Sequence, residues 1–296
     1  VRVRTGRPLV LYQKGAYNMT DAGRNVITSR QNPKVTDAAK LQDKKYRDET
    51  GLFMAEGIKL CAEALKSSLE VRRIFLLEDR LDALEGLLSE IKGKTVPDIV
   101  YVSAGVFEKI STEKAPEGII AIAEKPLALH SRKEPERIAE EIADEMVFAL
   151  FSVRDAGNLG TALRSAYAFG YDRIVISADC AYIYNTKTLR SSMGALFAMK
   201  ISITRSMGDF VRECRKCGRR VFAAQKREGA LSLKGIKPEK SDIFIIGNEA
   251  NGIPDEISKE CDAQLYIPIS SKCESLNASA AAAVLMWEQG QRFTSD

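Results

Sequence analysis

The chain has 296 residues, 45% of them apolar, and a net charge of only +4, which suits two ordinary globular domains better than one. No run approaches the roughly 18 apolar residues of a membrane span, and the start lacks the apolar core and cleavage site of a secretory leader, so a cytoplasmic protein is expected. A single histidine disfavours histidine-based acid–base or nucleophilic chemistry, and six dispersed cysteines disfavour a disulfide framework.

The charge excess sits at the start, where Arg2, Arg4, Arg7 and Lys14 meet no acid among residues 1–18. Residues 1–26 are set apart as a basic arm. Met19 offers an alternative start that would leave the residues before it non-native; an RNA-touching arm is the other reading. Residues 27–125 then alternate between strand and helix. A polar turn at Ile27–Lys34 leads into a basic helix, Val35–Arg47, with Ala38, Leu41 and Tyr46 on its less polar side. A strand and turn at Gly51–Gly57, a helix at Ile58–Lys66, a strand at Val71–Leu77 and a helix at Arg80–Ile91 follow. Strands at Ile99–Val102 and Gly118–Ala123 complete a compact α/β unit. Arg30, Lys34, Lys44 and Lys45 gather in its first stretch, interleaved with Asp37, Asp43, Asp48 and Glu49. They read either as a solvated helix face or as a phosphate-contacting surface.

Residues 126–143 shift to mixed charge, prolines and His130, predicting a linker that passes into a short helix. Residues 144–296 form the second module. Its strands are expected at Met146–Val153, Arg173–Ala178, Lys200–Thr204, Arg220–Ala224, Ile243–Ile246 and Leu265–Ile267. Near-continuous β-branched runs of this kind predict a parallel sheet buried on both faces. Helices are expected at Gly160–Phe169, Thr186–Arg190 and Met207–Lys216, with a last one capped by Ser275 or Asn277. The small residues Ala280–Ala283 make that last helix read as a buried one. Cys214 and Cys217 have the spacing of half a zinc site, but no second pair accompanies them, and no metal is expected.

Three loops share one pattern, a strand ending in a polar turn. They are Val153–Ala166, with Asn158 in the turn and Arg164 placed in an early helical turn pointing back toward it; Ile245–Ile253, which carries Gly247, Glu249 and Gly252; and Gln264–Trp287. A phosphate loop would need Lys-Ser/Thr after Gly252, and a dinucleotide fold would place Gly-x-Gly-x-x-Gly after its first strand. Neither is present.

In this order and spacing, Asn158…Arg164, Gly-Asn-Glu-x-x-Gly and Ile-Pro-Ile-x5-Ser-Leu-Asn-x-Ser resemble the three motifs of the SpoU (TrmH-type) branch of the SPOUT RNA methyltransferases. Ala156 departs from the pattern, which often has proline after Asp155. The first module, through Ser-Arg-Gln-Asn-Pro and Phe-Met-Ala-Glu-Gly, is similar to the ribosomal-protein-like RNA-binding domain often fused to this branch. The resemblance implies an α/β fold whose C-terminal domain is a trefoil-knotted parallel sheet of six strands. It also implies a homodimer that binds S-adenosylmethionine and methylates a ribose 2′-hydroxyl of RNA. Ribosomal RNA is the expected substrate; transfer RNA, or a non-catalytic RNA-binding role in ribosome assembly, are the alternatives. By the family pattern Arg164 is catalytic. Asn158, Glu249, Ser275 and Asn277 shape the catalytic site, and Gly247, Ile267 and Leu276 contact the cofactor.

Overall fold

The structure is a computed structural model that describes residues 25–81, 86, 87 and 96–293. Arg2, Arg4, Arg7, Lys14 and much of the helix expected at Arg80–Ile91 lie outside the described residues. The chain divides into two compact units, which meet in sequence between Lys125 and Pro126.

In the first unit, α1 (Pro33–Lys40) starts on Asn32, whose side chain accepts the amide of Lys34, with Pro33 in the first turn. One helix was expected to run on to Arg47. Instead the chain breaks, and α2 (Lys44–Thr50) restarts on Asp43, whose Oδ1 accepts the amides of Lys45 and Tyr46. The break is held by buried Arg47, whose Nη1 donates to the carbonyls of Leu41 at 2.7 Å and Gln42 at 2.9 Å. Arg47 is thus a structural cation, not part of a solvated face. Next come β1 (Leu52–Glu56), α3 (Ile58–Lys66), β2 (Val71–Leu77), β3 (Asp98–Val102), α4 (Ala104–Ile110) and β4 (Ile119–Glu124). They form a mixed four-stranded sheet in the order β1-β4-β2-β3, with only β2 and β3 parallel. Helix α4 was not anticipated. It supplies Val106, Phe107 and Ile110 to the core, with Val35 and Ala38 of α1 in the same cluster.

The second unit contains β5 (His130–Lys133), α5 (Pro135–Glu141), β6 (Val147–Leu150), α6 (Ala156–Ala168), β7 (Arg173–Ser177), α7 (Thr186–Ser192) and β8 (Lys200–Thr204). It continues with α8 (Met207–Lys216), β9 (Val221–Ala224), β10 (Leu231–Ser232), β11 (Ile243–Ile246), α9 (Asp255–Ser258), β12 (Ala263–Tyr266) and α10 (Ala278–Gly290). All eight strands are parallel, ordered β10-β12-β9-β11-β6-β7-β8-β5. Every residue of β6, β7 and β11 is buried, as a sheet covered on both faces requires.

The six expected strands are all there, and two edge strands join them. One of these, β5, lies in the segment read as a linker: His130 pairs beside Ile201 and is buried, not exposed in a charged tether. Cys214 belongs to the apolar core, and burial pushes its thiol up to about 12, whereas Cys217 is exposed. Among the described residues, no group of three metal-binding side chains converges and no helix is long and apolar enough to cross a membrane.

The His130 ring sits 2.6 Å from the Tyr184 hydroxyl through Nδ1. Burial lowers its pKa to about 4, with backbone groups of Leu196 and Met199 opposing the shift only in part. Between pH 6.5 and 4 the unfolded chain therefore binds a proton that the folded one refuses, so stability falls as pH falls through that window. The expected loss is roughly 2–4 kcal/mol. Chemical denaturation at pH 7 and pH 5 should show the fall in the wild type and a shallower one in His130→Gln.

Candidate active site

In a parallel sheet all strand C-termini open on one edge, where backbone amides and loop side chains are free to meet a ligand. The three motif loops leave β6, β11 and β12 at that edge. The order β12-β9-β11-β6 brings them side by side, although they lie far apart in sequence.

The first loop starts with Ser152, which has a left-handed φ of 53° and is buried. Asp155 then caps α6: its Oδ1 accepts the Asn158 amide at 2.8 Å, while its Oδ2 takes the Lys187 ammonium at 2.7 Å. The Lys187 hydrogen bond first, and the Asn158 N–H second, hold the Asp155 carboxyl below the usual range. Ala156, where the family pattern often has proline, occupies the first helical position, and the cap forms without it.

The second loop is a tight turn in which Asn248 and Gly252 exchange backbone hydrogen bonds of 3.0 and 2.9 Å. A Cβ on Gly247 would fall 2.4 Å from the Gly252 carbonyl carbon, so only glycine fits. The close approach that Gly247 permits is between two parts of the same loop. Asn248 locks the turn: its Oδ1 accepts the amides of Ala250 and Asn251, and its Nδ2 donates to the Ser152 carbonyl at 2.8 Å.

The third loop ends on Asn277, the N-cap of α10. Its Oδ1 accepts the Ser279 amide at 2.9 Å, the Ala280 amide at 3.3 Å and the Ser279 hydroxyl at 2.7 Å. Its Nδ2 donates to Asn158 Oδ1 at 3.0 Å, and Asn158 Nδ2 donates to Glu249 Oε1 at 3.0 Å. Asn158, Glu249 and Asn277 are therefore one connected group, joined by Ser279 at 3.4 Å from Asn158 Oδ1. Asn248 and Ser279 lie inside the motifs quoted from the sequence, yet neither was singled out. Their signal was their type, an amide before a carboxylate and a hydroxyl two residues past a cap.

Arg164 and Ser275 are not in this group. Both are exposed, and neither side chain hydrogen-bonds or ion-pairs with any described residue. Arg164 is the ninth residue of α6, about 9 Å along the axis from Asn158 and well over a right angle around it. It belongs to neither an early turn nor the side facing the loop. Its neighbours one turn away, Thr161 and Tyr167, are exposed too.

A nucleoside cofactor fits the arrangement. Leu276 stands exposed and Ile267 half-buried beside the polar loops. At the end of β9, between β11 and β12, Gln225 encloses an amide nitrogen without a partner while its backbone N–H bonds the Leu265 carbonyl. Apolar side chains on the third loop and a spare buried donor at the same sheet edge are the kinds of group an adenine base uses.

In the first unit Arg30, Lys34, Lys44 and Lys45 are all exposed. Lys34 pairs with Asp98 at 3.0 Å and Lys45 with Glu49 at 3.8 Å. Partial burial pushes the Asp98 carboxyl up, but the Lys34 and Arg73 hydrogen bonds outweigh it and hold it low. This face carries ion pairs rather than an unopposed cation cluster; exposed pairs of this kind are weak enough to yield to phosphate.

Residues 145–287 match the SpoU rRNA Methylase family, and residues 32–121 match an MRM3-like substrate binding domain. The 23S rRNA (guanosine(2553)-2'-O)-methyltransferase RlmP of Bacillus subtilis is 32% identical over 261 residues, which cover 88% of this chain and 97% of that protein. The 23S rRNA (uridine(2479)-2'-O)-methyltransferase of Streptomyces viridochromogenes is 26% identical, covering 88% of this chain and 90% of its own. The AdoMet-bound rRNA methyltransferase from Sinorhizobium meliloti superposes with a TM-score of 0.75 at 29% identity, covering 92% of this chain and 99% of that one. With its parallel sheet, its three converging loops and nearly the full length of a relative matched, this chain belongs to the SpoU rRNA methylase family.

Proposed function

We propose that the protein transfers a methyl group from S-adenosylmethionine to a ribose 2′-hydroxyl of ribosomal RNA. The observation that carries this reading is the connected group Glu249–Asn158–Asn277, which assembles the three motif loops of an RNA methyltransferase family at one sheet edge. Relatives named for 23S rRNA 2'-O-methylation match both units, which favours ribosomal over transfer RNA. Residues 27–125 serve in this reading as the substrate-binding domain, with Arg30, Lys34, Lys44 and Lys45 available to phosphates. Six free cysteines and a ribosomal substrate fit a cytoplasmic location.

When bound, the cofactor would supply an electrophilic methyl on a sulfonium, whose sulfur leaves as a neutral thioether once the ribose oxygen takes the methyl. Gly247, Ile267, Leu276 and the spare amide of Gln225 would hold it. The ribose oxygen gains negative character as its proton passes to solvent water, and Arg164, permanently cationic, stabilises that charge. Ser275, with its hydroxyl unengaged, orients the ribose. Asn158, Glu249 and Asn277 spend their hydrogen bonds on one another and so act by fixing the loops.

Arg164 faces away from its own loop group, and the surface around it supports a reading in which it serves a second copy. Tyr167 is 56% exposed on α6, and Val284 and Trp287 are 38% and 53% exposed on α10, with the Phe169 and Trp287 rings 5.8 Å apart. An exposed aromatic face of this kind marks an interaction surface. Two copies meeting through it would bring Arg164 of one to the Asn158 group of the other, a homodimer whose sites each draw on both chains. Residues 267–277 join β12, outside β9, to α10, which packs on α6 and against β11. We read that connection as threaded into a trefoil knot.

Transfer of labelled methyl to ribosomal RNA, free and in subunits, with transfer RNA in parallel, tests the reaction. Arg164→Ala should lower kcat about 10²- to 10³-fold while cofactor affinity, measured by calorimetry, stays put. Label appearing only in transfer RNA would move the substrate; cofactor binding without transfer to any RNA would sink the enzymatic reading.

Subunit mixing tests the shared site. Arg164→Ala and Asn158→Ala variants, each inactive alone, should recover about a quarter of wild-type activity once unfolded and refolded together, since half the dimers then hold one intact site. No recovery would place Arg164 in its own subunit's site.

A further inference from the structure

Ser177 lies in none of the motif loops, and the chemistry above does not use it. It ends β7, the strand beside β6, and is buried. Its hydroxyl accepts the Ser152 amide at 2.8 Å and donates to Asp179 Oδ1 at 2.6 Å. Ser152 is the residue on which the chain turns out of β6, and it does so with the left-handed φ of 53°. A residue with a Cβ keeps that conformation only when its surroundings impose it.

Two restraints do so here. Ser177 holds the Ser152 amide and Asn248 Nδ2 holds its carbonyl, each at 2.8 Å, while Asp179 in turn holds the Ser177 hydroxyl at 2.6 Å. Partial burial would raise the Asp179 carboxyl, yet hydrogen bonds from Ser152 and Ser177 outweigh it and keep it ionised, 3.6 Å from Arg154. The next residues along are Asp155, which caps α6, and Asn158, which carries the amide chain to Glu249 and Asn277. Whatever fixes the turn at Ser152 therefore fixes where Asn158 stands.

We propose that Ser177 is a positioning residue: by holding the left-handed turn at Ser152 it sets the place of Asn158, and through it the register of the three loops. It touches neither ribose nor cofactor. The kinetic consequence rests on the methyl-transfer reading, whereas the hold on the turn is measurable without RNA.

The test uses Ser177→Ala, Ser177→Thr, Ser152→Gly and the Ser152→Gly/Ser177→Ala double variant of the full chain. Ser177→Ala should lower kcat about tenfold, since small misplacements at a reacting centre are amplified, with the RNA KM and cofactor Kd within about twofold. Ser177→Thr, which keeps the hydroxyl, should restore at least half of kcat. Glycine adopts a positive φ unaided, so Ser177→Ala should lower the thermal midpoint clearly in the wild-type background and hardly at all in the Ser152→Gly background. An equal fall in both backgrounds would show that Ser177 does not hold the turn, and the proposal fails. It fails as well if the midpoints couple but Ser177→Ala keeps kcat within about twofold. A wild-type protein that methylates no RNA defeats the methyl-transfer reading instead, and the midpoint coupling between residues 152 and 177 still reads out.

Discussion

The site depends on the direction of one chain of hydrogen bonds. Asn277 caps α10, and helix N-termini present only donors, so its side-chain oxygen must face the helix. That leaves its Nδ2 pointing away, which obliges Asn158 to offer its own oxygen and turn its Nδ2 outward. The group that receives Asn158 Nδ2 must be an acceptor, and Glu249 supplies a carboxylate, which can do nothing else. Every amide orientation follows from the cap. A hydroxyl, which donates or accepts through a single atom, would leave the direction open at its link, whereas an amide has separate donor and acceptor atoms and a carboxylate only acceptors; three loops from three strands can therefore be held by three side chains.

The sheet makes the encounter possible. Strands buried on both faces cannot slip in register without exposing apolar surface, so the ends of β6, β11 and β12 are fixed relative to one another before any polar contact forms. The hydrogen bonds, each worth about 1 kcal/mol net, then decide how the loops lie, not whether the fold exists. The strain at Ser152 fits the same division, since a turn adopted only under restraint needs a rigid sheet on both sides.

Much of this was legible in the sequence, for a physical reason. Runs such as Ile243–Ile246 and Arg173–Ser177 have nearly no polar alternation, and double-sided burial is what that means; all six expected strands form. What escaped notice depended on partners distant in the chain. His130 looks like part of a tether because β5 gains its burial from β8. The break between α1 and α2 is set by Arg47 reaching back to two carbonyls, a contact no helical periodicity encodes. α10 is apolar nearly all round, so its pattern could not tell that Val284 and Trp287 would be left open on one side. Asn158, Glu249 and Asn277 were named from their motifs, but that they touch, and that Arg164 does not join them, needed coordinates.

That separation has a physical logic. A side chain whose hydrogen-bonding capacity is committed to holding a loop cannot also respond to charge appearing on a substrate oxygen without breaking what it holds. The residues that respond must keep unspent capacity, and at Arg164 and Ser275 that capacity is exposed to water, which weakens any electrostatic effect. Arg164 meets the first condition in the isolated chain and fails the second. Covering it with a second copy, through the aromatic face around Tyr167 and Trp287, would remove water from the guanidinium without giving it an internal partner. In the proposed dimer, assembly would be the step that turns a solvated arginine into an electrostatic catalyst, and the aromatic surface beside it would be part of the chemistry and not only of the packing.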